Sequence, residues 1–380
     1  MGNNMAALWW SAPLPILGRP ALLIARELLG GAGCKRFNLW WKAQFNHLAA
    51  DSCGIYEGCS IDHSIPYGPQ PHETLDHIRP KIAKDGSVAA YFPGGGFVTS
   101  NCRTLNHCMT PLARAGWTVF AVDYPLAPES PFPAPILSAL RALAWIKQRT
   151  GASHVSLIGD SAGGQIATFV TALLSSGTML RAFAALVQED VRNWDLPEVA
   201  VVVSVYGHFE CESARGSVFG RGLEFCWRSY LPKDSAKKVC PRHLLEIDPS
   251  MLSKFPRALM LAGTRDVLYE STRIAFDFLQ AAGVDAELRE VDAGHGFLGF
   301  PPQWTCGHWT KGCAPATERI VSFVSGRSVS YPREPMPVDK SVVISFLIVS
   351  VPLTILSLLG VLYLGYTFLA CVVGRDLVAG

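Results

Sequence analysis

Gly159-Asp160-Ser161-Ala162-Gly163 sits between the apolar run Val155 to Ile158 and the helical stretch Gln165 to Leu174. That order reads as strand, sharp turn, helix, with a serine at the apex, and it constrains the fold more than any other feature. A turn this tight needs small residues at its flanks, and glycine is the residue that tolerates the backbone angles involved. The serine hydroxyl is then held above a sheet, clear of its neighbours. With 34 glycines in 380 residues, G-x-S-x-G arises by chance roughly 0.2 times in such a chain. The pentapeptide gains force only from partners elsewhere in the sequence.

A serine needs a base to take its proton and a carboxylate to hold that base. Arg257 to Ala262 reads as a buried strand closed by Gly263-Thr264-Arg265-Asp266. A helix over Ser271 to Ala282 follows, then an alternating strand, Ala286 to Asp292, that ends in Ala293-Gly294-His295-Gly296-Phe297. Asp266 and His295 therefore fall just past the carboxyl ends of two strands, where open α/β sheets build their sites. Ser161 lies on the same rim. Taken singly, Asp266 reads as a helix N-cap and His295 as a turn residue. His208, after the strand Val201 to Tyr206, is the rival base; Asp292 is the rival acid, expected still on its strand. His154 precedes its strand and belongs to the opposite sheet edge.

Upstream, the strand Ser87 to Phe92 runs into Pro93-Gly94-Gly95-Gly96-Phe97. Consecutive glycines let backbone N–H groups approach a developing negative charge with no side chain in the way. A phosphate-cradling loop has no support, because the chain contains no G-x-x-x-x-G-K-[ST] pattern. The N–H of Ala162, next to the serine, offers a further donor.

Tyr91 to Phe97, Asp123-Tyr124-Pro125-Leu126-Ala127-Pro128-Glu129 with Phe132-Pro133-Ala134, the turn Gly159 to Gly164, and His295-Gly296-Phe297 together resemble the hormone-sensitive-lipase family of α/β-hydrolases. That family includes arylacetamide deacetylases and many microbial carboxylesterases. The resemblance covers roughly Ser87 to Val324. It implies Ser161 as nucleophile, Asp266 as acid, His295 as base, and an oxyanion hole from Gly95, Gly96 and Ala162. It implies no cofactor and no metal. Where the family usually has His-Gly-Gly-Gly, this chain has Pro93 in the first place. The glycines carry the donors, so the change removes a brace from the loop rather than a catalytic group.

At 49% hydrophobic and 17% charged residues, the chain can bury a full α/β core. A net charge of +2 with no basic run leaves nucleic-acid binding unsupported. Alternating strand and helix signals predict a doubly wound, mainly parallel sheet. Two regions are extra to that sheet. Residues 1–60 carry the amphipathic stretches Leu22 to Leu29 and Phe37 to Leu48, rich in tryptophan. Residues 208–250 hold Phe209, Phe219, Phe225, Trp227 and Tyr230. By the resemblance these two segments pack together as a helical cap over the site, with the catalytic domain spanning 61–326. Ser175 to Pro197 is longer than a helix-to-strand connection needs, and its role is not legible.

The carboxyl end is a different kind of chain. Ser341 to Gly374 holds thirty-four residues without a charge, bracketed by Lys340 and Arg375, against the ~20 needed to span a bilayer. With the polar, Pro-rich 327–340 as linker, 341–374 reads as a transmembrane helix and a single membrane anchor. No basic n-region precedes Ala6 to Leu17, which argues against a cleavable signal peptide. A cytosolic domain on an endomembrane such as the endoplasmic reticulum is the expected placement. An oxidising lumen would instead favour disulfides, with Cys306 and Cys313 the first pair to consider. The expected activity is a membrane-anchored serine hydrolase whose partners are a small lipophilic ester and membrane lipid, with the oligomeric state open. An amidase with the same residues, or a silent ligand-binding homologue of the shell, are the alternatives.

Overall fold

The computed structural model describes residues 58–99, 102, 106–217, 220–231, 240–298 and 313–326. Eight strands form one sheet: β1 (Cys59–Pro66), β2 (Thr74–Pro80), β3 (Val88–Phe92), β4 (Thr118–Val122), β5 (His154–Asp160), β6 (Glu198–Val205), β7 (Arg257–Gly263) and β8 (Ala286–Val291). Their spatial order is β1-β2-β4-β3-β5-β6-β7-β8. β1 pairs with β2, and β2 with β4, antiparallel. Every other pairing is parallel. The mainly parallel α/β sheet expected from the alternation is borne out.

The central strands are buried on both faces, as parallel strands covered by helices must be. All five residues of β3 are buried. Its side chains nevertheless alternate: Ala90 and Phe92 join the larger core, Ala89 and Tyr91 the smaller one on the other side. The larger core is closed by α2 (Ala134–Thr150), α3 (Ala162–Ser175), α4 (Gly177–Val187) and α6 (Tyr269–Ala281). The smaller lies under α1 (Thr110–Arg114) and α7 (Cys313–Ser325). α5 (Gly220–Tyr230) stands in the β6–β7 connection.

This topology decides where a site can form. From β3 the chain returns through α1 to β4 on one side, then through α2 on the other face to β5, which pairs with the far edge of β3. The strand order reverses between β3 and β5, and open α/β sheets bind ligands at such a switch point. Phe92 stands opposite Gly159 in that pairing. The glycine loop after β3 and the serine turn after β5 consequently leave the sheet side by side.

The structure also fills in the illegible stretch after α3. Ser176 caps α4 by accepting from the Met179 N–H, and Met179 and Phe183 bury themselves in the larger core. The extra length serves packing. Among the described residues no single helix is long and apolar enough to cross a membrane. The tail 341–374, the linker 327–340 and the segment 1–57 lie outside the described residues.

Candidate active site

The backbone at Ser161 is itself unusual. Its φ of 51° and ψ of −118° form a left-handed kink that a non-glycine residue adopts only when its surroundings enforce it. The flanking glycines make that possible by close approach. A Cβ on Gly159 would stand 2.1 Å from the Gly163 carbonyl oxygen, and one on Gly163 would stand 1.9 Å from that of Phe92. Neither position can carry a side chain. The strand-to-helix turn thus presses the elbow against the end of β3 and lifts the serine above the sheet.

Two other strand ends deliver the partners. Asp266 follows β7, and its side chain is fully enclosed. Its carboxylate caps the chain leading into α6 by accepting from the Leu268 N–H at 2.8 Å. The same carboxylate faces His295, with Nδ1 at 3.0 Å from Oδ1 and 2.9 Å from Oδ2. His295 Nε2 lies 3.1 Å from Ser161 Oγ. A carboxylate only accepts, so the network assigns the proton to Nδ1 and leaves Nε2 to accept from the serine hydroxyl. Tyr206 packs edge-on against the imidazole, ring centroids 4.9 Å apart, and Phe297 packs on Tyr206. The base is therefore fixed by contact as well as by hydrogen bonds.

Beside the serine, Gly95 and Gly96 have φ values of 138° and 61°. Among the described residues, neither of their N–H groups donates to a protein acceptor, although Gly95 accepts at its carbonyl from Val98 and Thr99. Unused donors at a half-buried turn of positive φ are the arrangement a transient anion needs. Cys226 of α5 closes over this loop: a Cβ on Gly96 would meet its sulfur at 2.8 Å. Phe97 stacks on Tyr230 at 4.0 Å, nearly parallel, and Trp227 edges onto Phe97.

A family model described as alpha/beta hydrolase fold matches residues 89–299. The chain belongs to that family. The resemblance drawn from its motifs is borne out. Two curated relatives are a lipase from a Moraxella species, 28% identical over 56% of this chain, and an acetyl-hydrolase from Streptomyces hygroscopicus, 26% identical over 66% of it. The alignments span 55% and 77% of those relatives' own lengths. An esterase from the archaeon Pyrobaculum calidifontis shares the fold with a TM-score of 0.58 at 22% identity, covering 83% of this chain and 99% of its own.

In this alpha/beta hydrolase the rivals for the site fall elsewhere. His208 is completely buried, its ring near Phe97 and Trp227, and its backbone N–H donates to the Ser161 carbonyl at 3.1 Å. It supports the elbow from behind, while the hydroxyl faces His295. Asp292 is one residue past the end of β8 rather than on it, and pairs with Arg265 in solvent at 3.1 Å. His154 opens β5 at the far edge, exposed beside Glu198. Of the pair that an oxidising lumen would favour, Cys313 is a thiol that donates to the Leu298 carbonyl at 2.8 Å, and Cys306 lies outside the described residues. No three His, Cys, Asp or Glu side chains converge to hold a metal ion among the described residues.

One functional neighbourhood was not read from the sequence. Asp160, 3% exposed, accepts from the Tyr91 hydroxyl at 2.6 Å and from the Gly94 N–H at 2.7 Å. Tyr124 donates to the Pro93 carbonyl at 2.6 Å. The signal was present in an acidic residue inside an otherwise small turn, where burial needs a reason.

Proposed function

We propose that the protein is a serine hydrolase of carboxylic esters. The observation that carries this reading is the continuous relay from the Asp266 carboxylate through His295 to Ser161 Oγ, every link within 3.1 Å. Relatives named lipase and acetyl-hydrolase support the reaction class.

In this reading Ser161 Oγ attacks the ester carbonyl while His295 Nε2 takes its proton, and Asp266 stabilises the imidazolium that forms. The carbonyl oxygen becomes an oxyanion and turns toward the N–H groups of Gly95, Gly96 and Ala162. His295 then protonates the departing alkoxide, leaving an acyl-enzyme on Ser161. Water, deprotonated by the same imidazole, hydrolyses it and restores the serine. The chemistry needs no group beyond the chain's own residues.

Residues 1–60 and 208–250 form the cap of this enzyme, and the aromatic side chains at Phe97, Trp227 and Tyr230 favour an apolar acyl or acetyl substrate. The uncharged run 341–374 anchors the catalytic domain, 61–326, to a membrane through the linker 327–340. Its length and composition support this. The anchor concentrates the site where lipophilic esters dissolve.

The test is turnover of a panel of acetyl and longer-chain aryl esters by the purified full chain and by Ser161→Ala. Hydrolysis by the first and not by the second is the expected result. A wild-type chain that cleaves none of them, or a variant that cleaves them equally, removes the proposal.

A further inference from the structure

The loop that carries the candidate oxyanion donors begins with Pro93, which has neither an N–H nor a polar side chain to hold it in place. Yet the peptide unit joining Pro93 to Gly94 is gripped at both polar ends. Its carbonyl accepts from Tyr124 Oη at 2.6 Å, and its N–H donates to Asp160 Oδ1 at 2.7 Å. Two hydrogen bonds on opposite ends of one planar group fix the rotation of that plane. The next N–H groups along the chain belong to Gly95 and Gly96, whose direction follows from it.

The Asp160 carboxylate is well placed for this. It directly precedes Ser161, and a Cβ on Gly94 would stand 2.5 Å from Asp160 Oδ2 and 3.0 Å from Ser161 Cβ. Loop, carboxylate and nucleophile thus touch one another. The hydroxyl of Tyr91, the penultimate residue of β3, donates to the same Oδ1 at 2.6 Å and orients it. In the proposed relay Asp160 has no part, so its burial is unexplained by proton transfer.

We propose that Asp160 is a positioning residue for ester hydrolysis: with Tyr124 it clamps the Pro93–Gly94 peptide and so aims the Gly95 and Gly96 N–H groups at the oxyanion. The clamp supplies, through main-chain groups, the bracing that a side chain at position 93 does not give here. This rests on the serine-hydrolase reading.

The clamp has a pH consequence. Burial raises the Asp160 carboxyl to about 6, against the opposing pull of the hydrogen bonds from Tyr91 and Gly94, the nearby His295 and Tyr206. Tyr91, Tyr206 and, behind them, the Cys108 thiol are themselves pushed well up by burial. Cys313 lies beside Cys108 in this cluster. Burial keeps Tyr91, Tyr206 and the Cys108 thiol uncharged at neutral pH, and His295 is the remaining ionisable group facing Asp160. Protonated on Oδ2, Asp160 keeps both contacts at Oδ1 but loses the charge that strengthens them. The clamp is therefore weaker below about pH 6 than above it, and activity falls with it on the acid side.

The experiment uses the full chain, with Asp160→Asn and Tyr124→Phe as separate variants acting on opposite ends of one peptide. Readouts are kcat and KM on a short aryl ester from about pH 5 to about 8, and affinity for an aryl trifluoromethyl ketone, whose hemiketal oxyanion needs the loop donors. Expected for Asp160→Asn, whose amide oxygen still accepts but without charge, is a kcat lower by roughly 10-fold with little change in KM, and a parallel loss of ketone affinity. The acid limb of kcat should be less steep in Asp160→Asn than in the wild type. Tyr124→Phe should move kcat and ketone affinity the same way by less. Unchanged kcat and ketone affinity in both variants overturns the assignment, as does a lower melting temperature with full activity in the folded protein. An acid limb as steep in Asp160→Asn as in the wild type does the same. A wild-type chain without esterase activity removes the hydrolase reading and this inference together; an active wild type with indifferent variants removes only this one.

Discussion

Two buried polar clusters in this molecule use similar side chains to opposite ends. In one, Glu73 is 1% exposed and takes Arg141 at 3.1 Å and the Gln70 N–H at 3.1 Å. Arg141 reaches on to Glu189 at 2.5 Å. Nearby, the Tyr67 hydroxyl meets the Asp123 carbonyl at 2.6 Å and Ser138 at 2.7 Å. This cluster ties β2 to α2 and to the turn after α4. In the other, Ser161, His295 and Asp266 are equally well connected, but the backbone at Ser161 is strained and the Gly95 and Gly96 N–H groups have no protein acceptor among the described residues. A network whose donors and acceptors are matched holds a fold together. One that keeps strain and unused donors beside a nucleophile is built to receive something.

That contrast can be broken most sharply at the relay. Ser161→Ala should lower kcat for ester hydrolysis by on the order of 10⁴-fold or more, with unchanged circular dichroism and melting. His295→Ala and Asp266→Asn should each cripple turnover as well. His208→Ala and Asp292→Asn should be milder; a greater loss at His208, measured on folded protein, would exchange the two histidines.

The donors come next. Gly95→Ala should reduce kcat by roughly 10²-fold by crowding the oxyanion, read as a kcat loss with KM nearly constant. A loss confined to KM would place Gly95 in substrate binding instead.

In the structural cluster the sign of the effect should invert. Glu73→Ala takes away one of Arg141's two carboxylate partners and the acceptor of the Gln70 N–H, and should lower unfolding free energy by about 2 kcal/mol, the scale for a hydrogen bond to a charged group, while kcat of the folded protein stays put. Denaturant titration beside an esterase assay separates the two. Loss of activity without loss of stability would mean that this cluster, too, reaches the site.

The smallest effect is expected from the tail. Removing Lys340 to Gly380 should leave turnover of short soluble esters nearly unchanged and release the protein from membranes, tested by carbonate wash and assay of both fractions. A truncated chain that still pellets would place a second membrane element among residues 1–60. One that loses activity on short esters would make the tail part of the folded domain.

Strands β3 to β8, the elbow and the order of Ser161, Asp266 and His295 were legible because each rests on a local pattern, whereas β1 and β2 were not read. An apolar run ended by small residues places a strand end, and three such ends on one rim suffice to bring the side chains together. Asp292 shows the limit of that reasoning, since one residue's difference in where β8 ends moved it from strand to solvent. His208 shows another: its position after β6 suited a base, and only the packing shows its ring enclosed beside Phe97 and Trp227 while Ser161 Oγ pairs with His295. α4 was unreadable because its role is to fill space against α3, which leaves no motif. The grip of Asp160 on Gly94 joins residues 66 positions apart, a pairing set by β3 lying beside β5 and by nothing local to either.

The most direct test of the central claim, that Ser161 is an activated nucleophile, is covalent labelling. A fluorophosphonate probe added to the full chain, followed by peptide mass mapping, should place the adduct on Ser161, and His295→Ala should abolish it. An adduct on another residue, or equal labelling of Ser161→Ala, would contradict it.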